Sequence, residues 1–245
     1  MTMPKTLVAV VGVLALALSA SSVGATVISI NHVGPDSNDA LAAGEVAGAV
    51  PVANWNNSPV MLPAGGGAIT YGPLALNFDD GTPSGATAGL SSTNGWKYDN
   101  GYTGSPDAKM MAGGSLFDTN DNAVLTLSNV PFAVYDVYVY GSVQGGAANT
   151  PRVGLTAANG SWSIQWTQDT SFSGLDDATT DGAGNYVSFR GVSGGTLTLN
   201  LDDASVGRAG YMGFQVVQIP EPATLLIWSL LAGLGIGVAW RRRNR

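Results

Sequence analysis

Apolar and polar residues alternate in many short stretches between residues 27 and 219. The period of two is typical of a β-strand with one buried face. In the clearest stretch, Leu197, Leu199 and Leu201 alternate with threonine and asparagine. The pattern predicts strands at residues 27–31, 74–78, 123–128, 135–140, 153–158, 161–167, 186–190, 197–201 and 211–219.

Turn signals between these stretches favour an antiparallel arrangement. Asn159-Gly160 separates two predicted strands and is typical of a two-residue hairpin. Residues 36–48 are a candidate short helix that Gly44 and Gly48 weaken, and periodicity locates no strand in residues 82–122. We expect an all-β fold, an antiparallel β-sandwich of jelly-roll-like form, because two packed sheets hide most strand edges.

Two apolar runs do not alternate, and they lie outside this region. Leu7 to Ala20 follows Lys5 and precedes the small residues Val23-Gly24-Ala25, which predicts a signal peptide over 1–25. The alternative is a first transmembrane helix. Residues 26–219 are then the β-sandwich ectodomain.

The second apolar run covers residues 223–240. As a helix its 18 residues reach roughly 27 Å, close to the thickness of a bilayer core. Arg241, Arg242, Arg243 and Arg245 follow it and predict a single transmembrane helix with a cytoplasmic C-terminus. A buried helix of a soluble domain is the alternative.

Pro220, Glu221 and Pro222 precede this span. Each proline biases the residue before it towards an extended conformation, so the triplet predicts an accessible spacer. Triplet, span and arginine cluster together resemble the PEP-CTERM sorting signal of bacterial envelope proteins. The resemblance covers residues 220–245 as a sorting tail. It implies export machinery and an exosortase as partners. It also implies that the protein lies first in the inner membrane and, after processing, at the cell surface or outside the cell.

Composition narrows the classes of function. The chain has a net charge of −7, and residues 26–219 carry −11. An acidic surface disfavours nucleic acid, whose phosphates bind lysine and arginine. The chain has no cysteine, so the exported domain must be stabilised by its packed core rather than by disulfides.

Catalytic signals are sparse. His32 is the only histidine, lies just beyond the first predicted strand and is expected at the surface or at the strand end. The chain has no G-x-S-x-G sequence. The aspartate pairs 79–80, 176–177 and 202–203 fit turns and solvated charge better than the facing carboxylates of a glycosidase. We therefore expect no catalytic residues and no enzyme; a hydrolase is the least favoured class.

One loop offers oxygen ligands. Asp118, Asn120 and Asn122 match the opening of a calcium-binding loop, but Ala123 and Asn129 replace its glycine and its glutamate. Calcium is the candidate cofactor at this loop, and a plain turn before the strand at 123–128 is the alternative.

Loop aromatics suggest a second function. Trp55 and Asn56 lie in an asparagine-rich stretch and are candidates for contact with a glycan, whereas Trp162 and Trp166 share a face with Ile164 and fit the core. The sequence therefore favours a non-enzymatic envelope or extracellular-matrix protein, anchored in the membrane and sorted through its tail. The alternative is a carbohydrate-binding module that binds polysaccharide through loop aromatics.

Overall fold

Strands account for most of the fold. The structure is a computed structural model, and it describes residues 25–34, 39–59, 66–99, 101–117, 123–143, 150–168, 172–203 and 208–220. Its strands are β1 (Val27–Asn31), β2 (Asn56–Asn57), β3 (Gly67–Asn77), β4 (Pro83–Asp99), β5 (Gly113–Phe117), β6 (Ala123–Ser128), β7 (Val134–Val143), β8 (Pro151–Ala157), β9 (Gly160–Gln165), β10 (Thr167–Gln168), β11 (Ala183–Gly184), β12 (Tyr186–Ser193), β13 (Thr196–Asp203) and β14 (Ala209–Gln218). Two short helices, α1 (Pro106–Met110) and α2 (Ala178–Asp181), complete the elements.

Twelve of the strands form one large sheet with two wings. The first wing has the order β12-β7-β14-β1-β2, and the second has the order β3-β4-β6-β13-β8-β9. β5 connects the wings because it pairs with β14 on one side and with the end of β4 on the other. The pairings are antiparallel except for β1 with β2, so the sheet is mixed. β10 and β11 form a separate parallel pair.

The alternation of apolar and polar residues explains which face of the second wing packs on the core. Leu197 and Leu199 of β13 lie opposite Leu127 and Leu125 of β6, and all four are buried. β14 is buried on both faces, because Phe214 and Val216 face the core while Gln215 is covered by the segment at Val50. One continuous core contains buried side chains from both wings, and residues Thr26–Ile219 form one compact unit.

The all-β prediction is confirmed, and the strands predicted by alternation are present. The hairpin is also confirmed, although its turn lies one residue earlier than expected: Ala157 pairs with Gly160 around Ala158 and Asn159. The jelly-roll-like sandwich stays a prediction.

One sequence expectation is wrong, and one stretch in which periodicity located no strand contains two. The described part of residues 36–48 contains turns rather than an α-helix. Residues 82–122, where no strand was located, contain β4, the longest strand at 17 residues, together with β5. Glycine, serine and threonine dominate β4, so it carries little hydrophobic alternation.

Candidate functional site

The two ends of the compact unit lie side by side. Gln218, at the end of β14, donates its backbone N–H to the carbonyl of Thr26 at 2.9 Å. Ile219 donates to the carbonyl of Val134 at 3.1 Å. Ile219 and Val134 are 38% and 42% exposed, which is unusual for large apolar residues of this fold. The chain therefore leaves the sheet at Pro220 beside the point where β1 begins.

The rest of the predicted tail lies outside the described residues. This applies to Glu221, Pro222, the predicted span 223–240 and the arginines Arg241, Arg242, Arg243 and Arg245. Within the described ranges, no helix combines the length and apolar character that a bilayer crossing requires. The predicted signal peptide lies outside the described residues as far as residue 24.

Trp55, a candidate for contact with a glycan at the surface, is buried instead. Its side chain is only 5% exposed, and its indole N–H reaches the carbonyls of Ala47 at 3.2 Å and Val52 at 3.1 Å. Its ring packs edge-on against Tyr140, with ring centres 6.0 Å apart. The ring is therefore a packing element and has no open face for a sugar.

Asn56 is also engaged by the fold. Its side-chain amide donates to the carbonyls of Ser29 and Asn77 at 2.9 Å, and its oxygen accepts the Asn77 N–H at 2.8 Å. These bonds connect β1, β2 and β3. Trp166 is buried and Trp162 packs partly against the core, as the sequence predicted.

His32 directly follows β1, as expected of a strand-end residue, but it is buried rather than at the surface. The hydroxyl of Tyr71 lies 3.1 Å from Nε2, and the rings of Tyr71 and Phe214 contact the imidazole edge-on. Burial lowers the pKa of His32 from 6.5 to about 4, while a hydrogen bond to the Tyr211 backbone acts in the opposite direction. The imidazole is thus neutral near pH 7.

The aspartate pairs have structural partners. Asp79 accepts the N–H of Val27 at 3.0 Å, and Asp80 accepts the N–H of Thr82 at 2.8 Å within a turn. Asp177 caps α2 through the N–H of Thr179 at 2.9 Å. Asp202 pairs with Arg152 across β8 and β13. These contacts match the turn and surface roles expected from the sequence.

The calcium candidates Asp118, Asn120 and Asn122 lie outside the described residues. Elsewhere, in the described ranges, no three histidine, aspartate or glutamate side chains cluster in a way that could hold a metal ion. Calcium at this loop stays a prediction from the sequence.

The outer faces of the two wings differ. Residues 39–55, called the strap from this point, cover the outer face of the first wing: Ala49 and Val50 donate their N–H groups to Tyr140 Oη at 2.7 Å and to Gln215 Oε1 at 3.2 Å. The outer face of the second wing carries threonine, serine and asparagine side chains that are exposed or half-buried. The alternation in β13 predicted this position for Thr198 and Asn200, which lie opposite the leucine side of that strand.

Comparison with known proteins adds one finding. A PEP-CTERM protein-sorting motif matches residues 218–243, as the resemblance of the tail suggested. A motif of this kind marks an exported protein that is sorted to the envelope with an exosortase. No curated protein and no solved structure matches the chain.

Proposed function

We propose that this chain is a non-enzymatic protein of the bacterial envelope or extracellular matrix that an exosortase sorts through its C-terminal tail. Before processing, residues 223–240 hold it in the inner membrane with the C-terminus in the cytoplasm. The observation that carries the proposal is the match of the sorting motif to residues 218–243. The motif begins at the last strand residue, Gln218, so the processed element follows the folded unit directly.

The described contacts support a role without catalysis. His32 is enclosed by the core, and the aspartates that could serve as paired carboxylates cap a helix, close a turn or pair with arginine. The alternative of a carbohydrate-binding module that uses loop aromatics loses its principal residue, because Trp55 is buried.

The test replaces Pro220, Glu221 and Pro222 together with alanine. The apolar run is unchanged, so the variant should still insert, but an exosortase that reads the triplet should no longer process it. We expect full-length protein to accumulate in the inner membrane. The measurement is the apparent mass and membrane fraction on immunoblots, in hosts with and without the exosortase.

Two controls make the result specific. Pro131→Ala removes an exposed proline far from the tail in sequence and should be processed normally. Replacing Arg241, Arg242, Arg243 and Arg245 with glutamine should instead loosen orientation and retention during export. Identical processing of the wild type and the triple-alanine variant would show that the triplet is only a linker.

A further inference from the structure

The outer face of the second wing carries rows of hydroxyl and amide groups, interrupted at Gly89, Val124 and Gly154. In one row, Ser161, Thr156, Thr198 and Thr126 lie directly opposite one another on β9, β8, β13 and β6. In the next row, the partners are Ser163, Gly154, Asn200, Val124, Ser91 and Thr70, on six adjacent strands. Rows repeat at about 4.8 Å between strands and about 6.8 Å along each strand. We call this surface the hydroxyl face.

The hydroxyl face is open to solvent. Thr156, Asn200, Ser161 and Ser163 are exposed, and Thr126 and Thr198 are half-buried. No described segment lies over it, whereas the strap covers the corresponding face of the first wing. As far as the described residues go, this face is uncovered and available to a partner.

The hydroxyl face is also electrically neutral. In the register positions that the structure describes, its charges are Arg152 and Asp202, which pair through two hydrogen bonds of 2.9 and 2.7 Å. Residues 26–219 as a whole carry a net charge of −11. On the described part of this face, the one acidic side chain, Asp202, is therefore balanced by Arg152.

Gly154 leaves one position of the second row without a side chain, and we call this gap the slot. Gly154 lies between Ser163 and Asn200, and a Cβ built on it would meet only Asn200, at 3.7 Å. The fold therefore does not require glycine at this position. A glycine inside a strand often marks a place where a ligand comes close to the backbone.

We propose that the hydroxyl face binds a neutral polysaccharide. Hydroxyl and amide groups both donate and accept hydrogen bonds, as sugar hydroxyls do. A periodic array matches a polymer of repeating units, and the absence of net charge on the face disfavours polyanions. The exposed large apolar residues Val46, Val134 and Ile219 lie outside the array, so it does not have the character of a lipid-binding surface.

The experiment measures retention of the full-length chain, extracted in detergent, on insoluble polysaccharides. The neutral probes are cellulose, insoluble β-1,3-glucan and chitin, and polygalacturonate is the anionic probe. Two variants change the face: Thr126→Val, Thr156→Val and Thr198→Val combined, which keeps the β-branched shape, and Gly154→Val, which fills the slot. The matched control combines Thr103→Val, Thr167→Val and Thr180→Val, all at exposed positions outside the face.

We expect retention on at least one neutral probe and none on polygalacturonate. Each lost hydroxyl removes a modest hydrogen bond, so the triple face variant should bind at least about tenfold more weakly. Gly154→Val should also weaken binding, and the control should bind like the wild type. Circular dichroism and urea denaturation check that each variant is folded. If the triple variant is unfolded, the binding of Gly154→Val alone tests the proposal.

Three results would overturn the proposal. The first is that none of the neutral probes retains the protein. The second is that the folded face variants bind as well as the wild type. The third is salt-sensitive binding to polygalacturonate in place of binding to the neutral probes.

Discussion

At the scale of single residues, His32 connects burial with the response of the fold to pH. Its imidazole lies between Tyr71 and Phe214 and is almost completely shielded from water. Because burial disfavours the charged form, the pKa falls from 6.5 to about 4 in the folded chain. The unfolded chain, in which the ring is hydrated, keeps the ordinary value.

This difference predicts acid sensitivity. As the pH falls from 7.5 to 5, His32 binds a proton in the unfolded state but not in the folded state. The free energy of unfolding should therefore fall by about 2 kcal/mol. The stabilisation is present above pH 6.5 and is lost as the pH falls towards 4. Urea denaturation at pH 7.5, 6 and 5 measures it.

His32→Gln provides the comparison. The chain has no second histidine, so the variant should lose most of the slope in this pH range even if packing lowers its overall stability. Equal slopes for both proteins would contradict the assignment to His32.

The burial of His32 and Trp55 could not be predicted from nearby residues. Glycine and proline after His32, and asparagines beside Trp55, are typical of exposed turns. His32 is enclosed by Tyr71, 39 positions away, and by Phe214 of the last strand. The asparagines do not face water as free groups, because Asn56 and Asn57 bond to backbone groups of other segments. Contacts between segments that are far apart in the sequence therefore determine the burial of both side chains.

At the scale of elements, the strap depends on Gln215. This buried side chain accepts from Tyr140 Oη at 2.5 Å and donates to the carbonyl of Val50 at 2.8 Å. Gly48 lets the strap come this close: its φ is +98°, and a Cβ there would lie 2.7 Å from Gln215 Oε1. The oxygen and the nitrogen of the Gln215 amide thus both bond to Val50 and hold the strap on the sheet.

Gln215→Met should release the strap. The variant keeps most of the volume but leaves the N–H and carbonyl of Val50 without their buried partner, a cost of roughly 2–4 kcal/mol. We expect faster hydrogen exchange at Gly48, Ala49 and Val50 in particular. Gln165→Met, at an exposed position of β9, should change neither the free energy of unfolding nor the hydrogen exchange of the strap. Unchanged exchange in the strap of Gln215→Met would show that other contacts hold it.

Elements with clear apolar alternation were predictable, and elements without it were not. β6 and β13 show the alternation directly, and their leucines face the core in register. β4 was missed because its inward positions include Ala86 and Ala88, whose small side chains give a weak apolar signal. The hydroxyl face was hidden for a related reason: its rows exist only across strands, and a single sequence does not contain the register.

At the scale of the whole molecule, the last strand is a central one. β14 pairs with β7 along one edge and with β1 and β5 along the other. The first strand therefore finds its main partner only when the chain has been made and exported as far as residue 218. Folding of the unit Thr26–Ile219 must follow export of nearly all of it.

Two truncations test this order. A chain that ends at Arg208 lacks β14 and should be unfolded and rapidly digested, because β1, β5 and β7 lose their shared neighbour. A chain that ends at Ile219 keeps every described pairing and should resist limited proteolysis. Equal resistance of the two chains would show that the remaining strands form a stable unit without β14.

The central place of β14 also bears on mechanical force. In a protein held by its tail and gripped elsewhere by its surroundings, tension enters at Ile219 and runs along β14. Pulling this strand out requires its ladders on both edges to slide at the same time, whereas a strand at the border of a sheet peels away one hydrogen bond after another. A tether at residue 219 would therefore pull on a central strand of the sheet rather than on an edge strand.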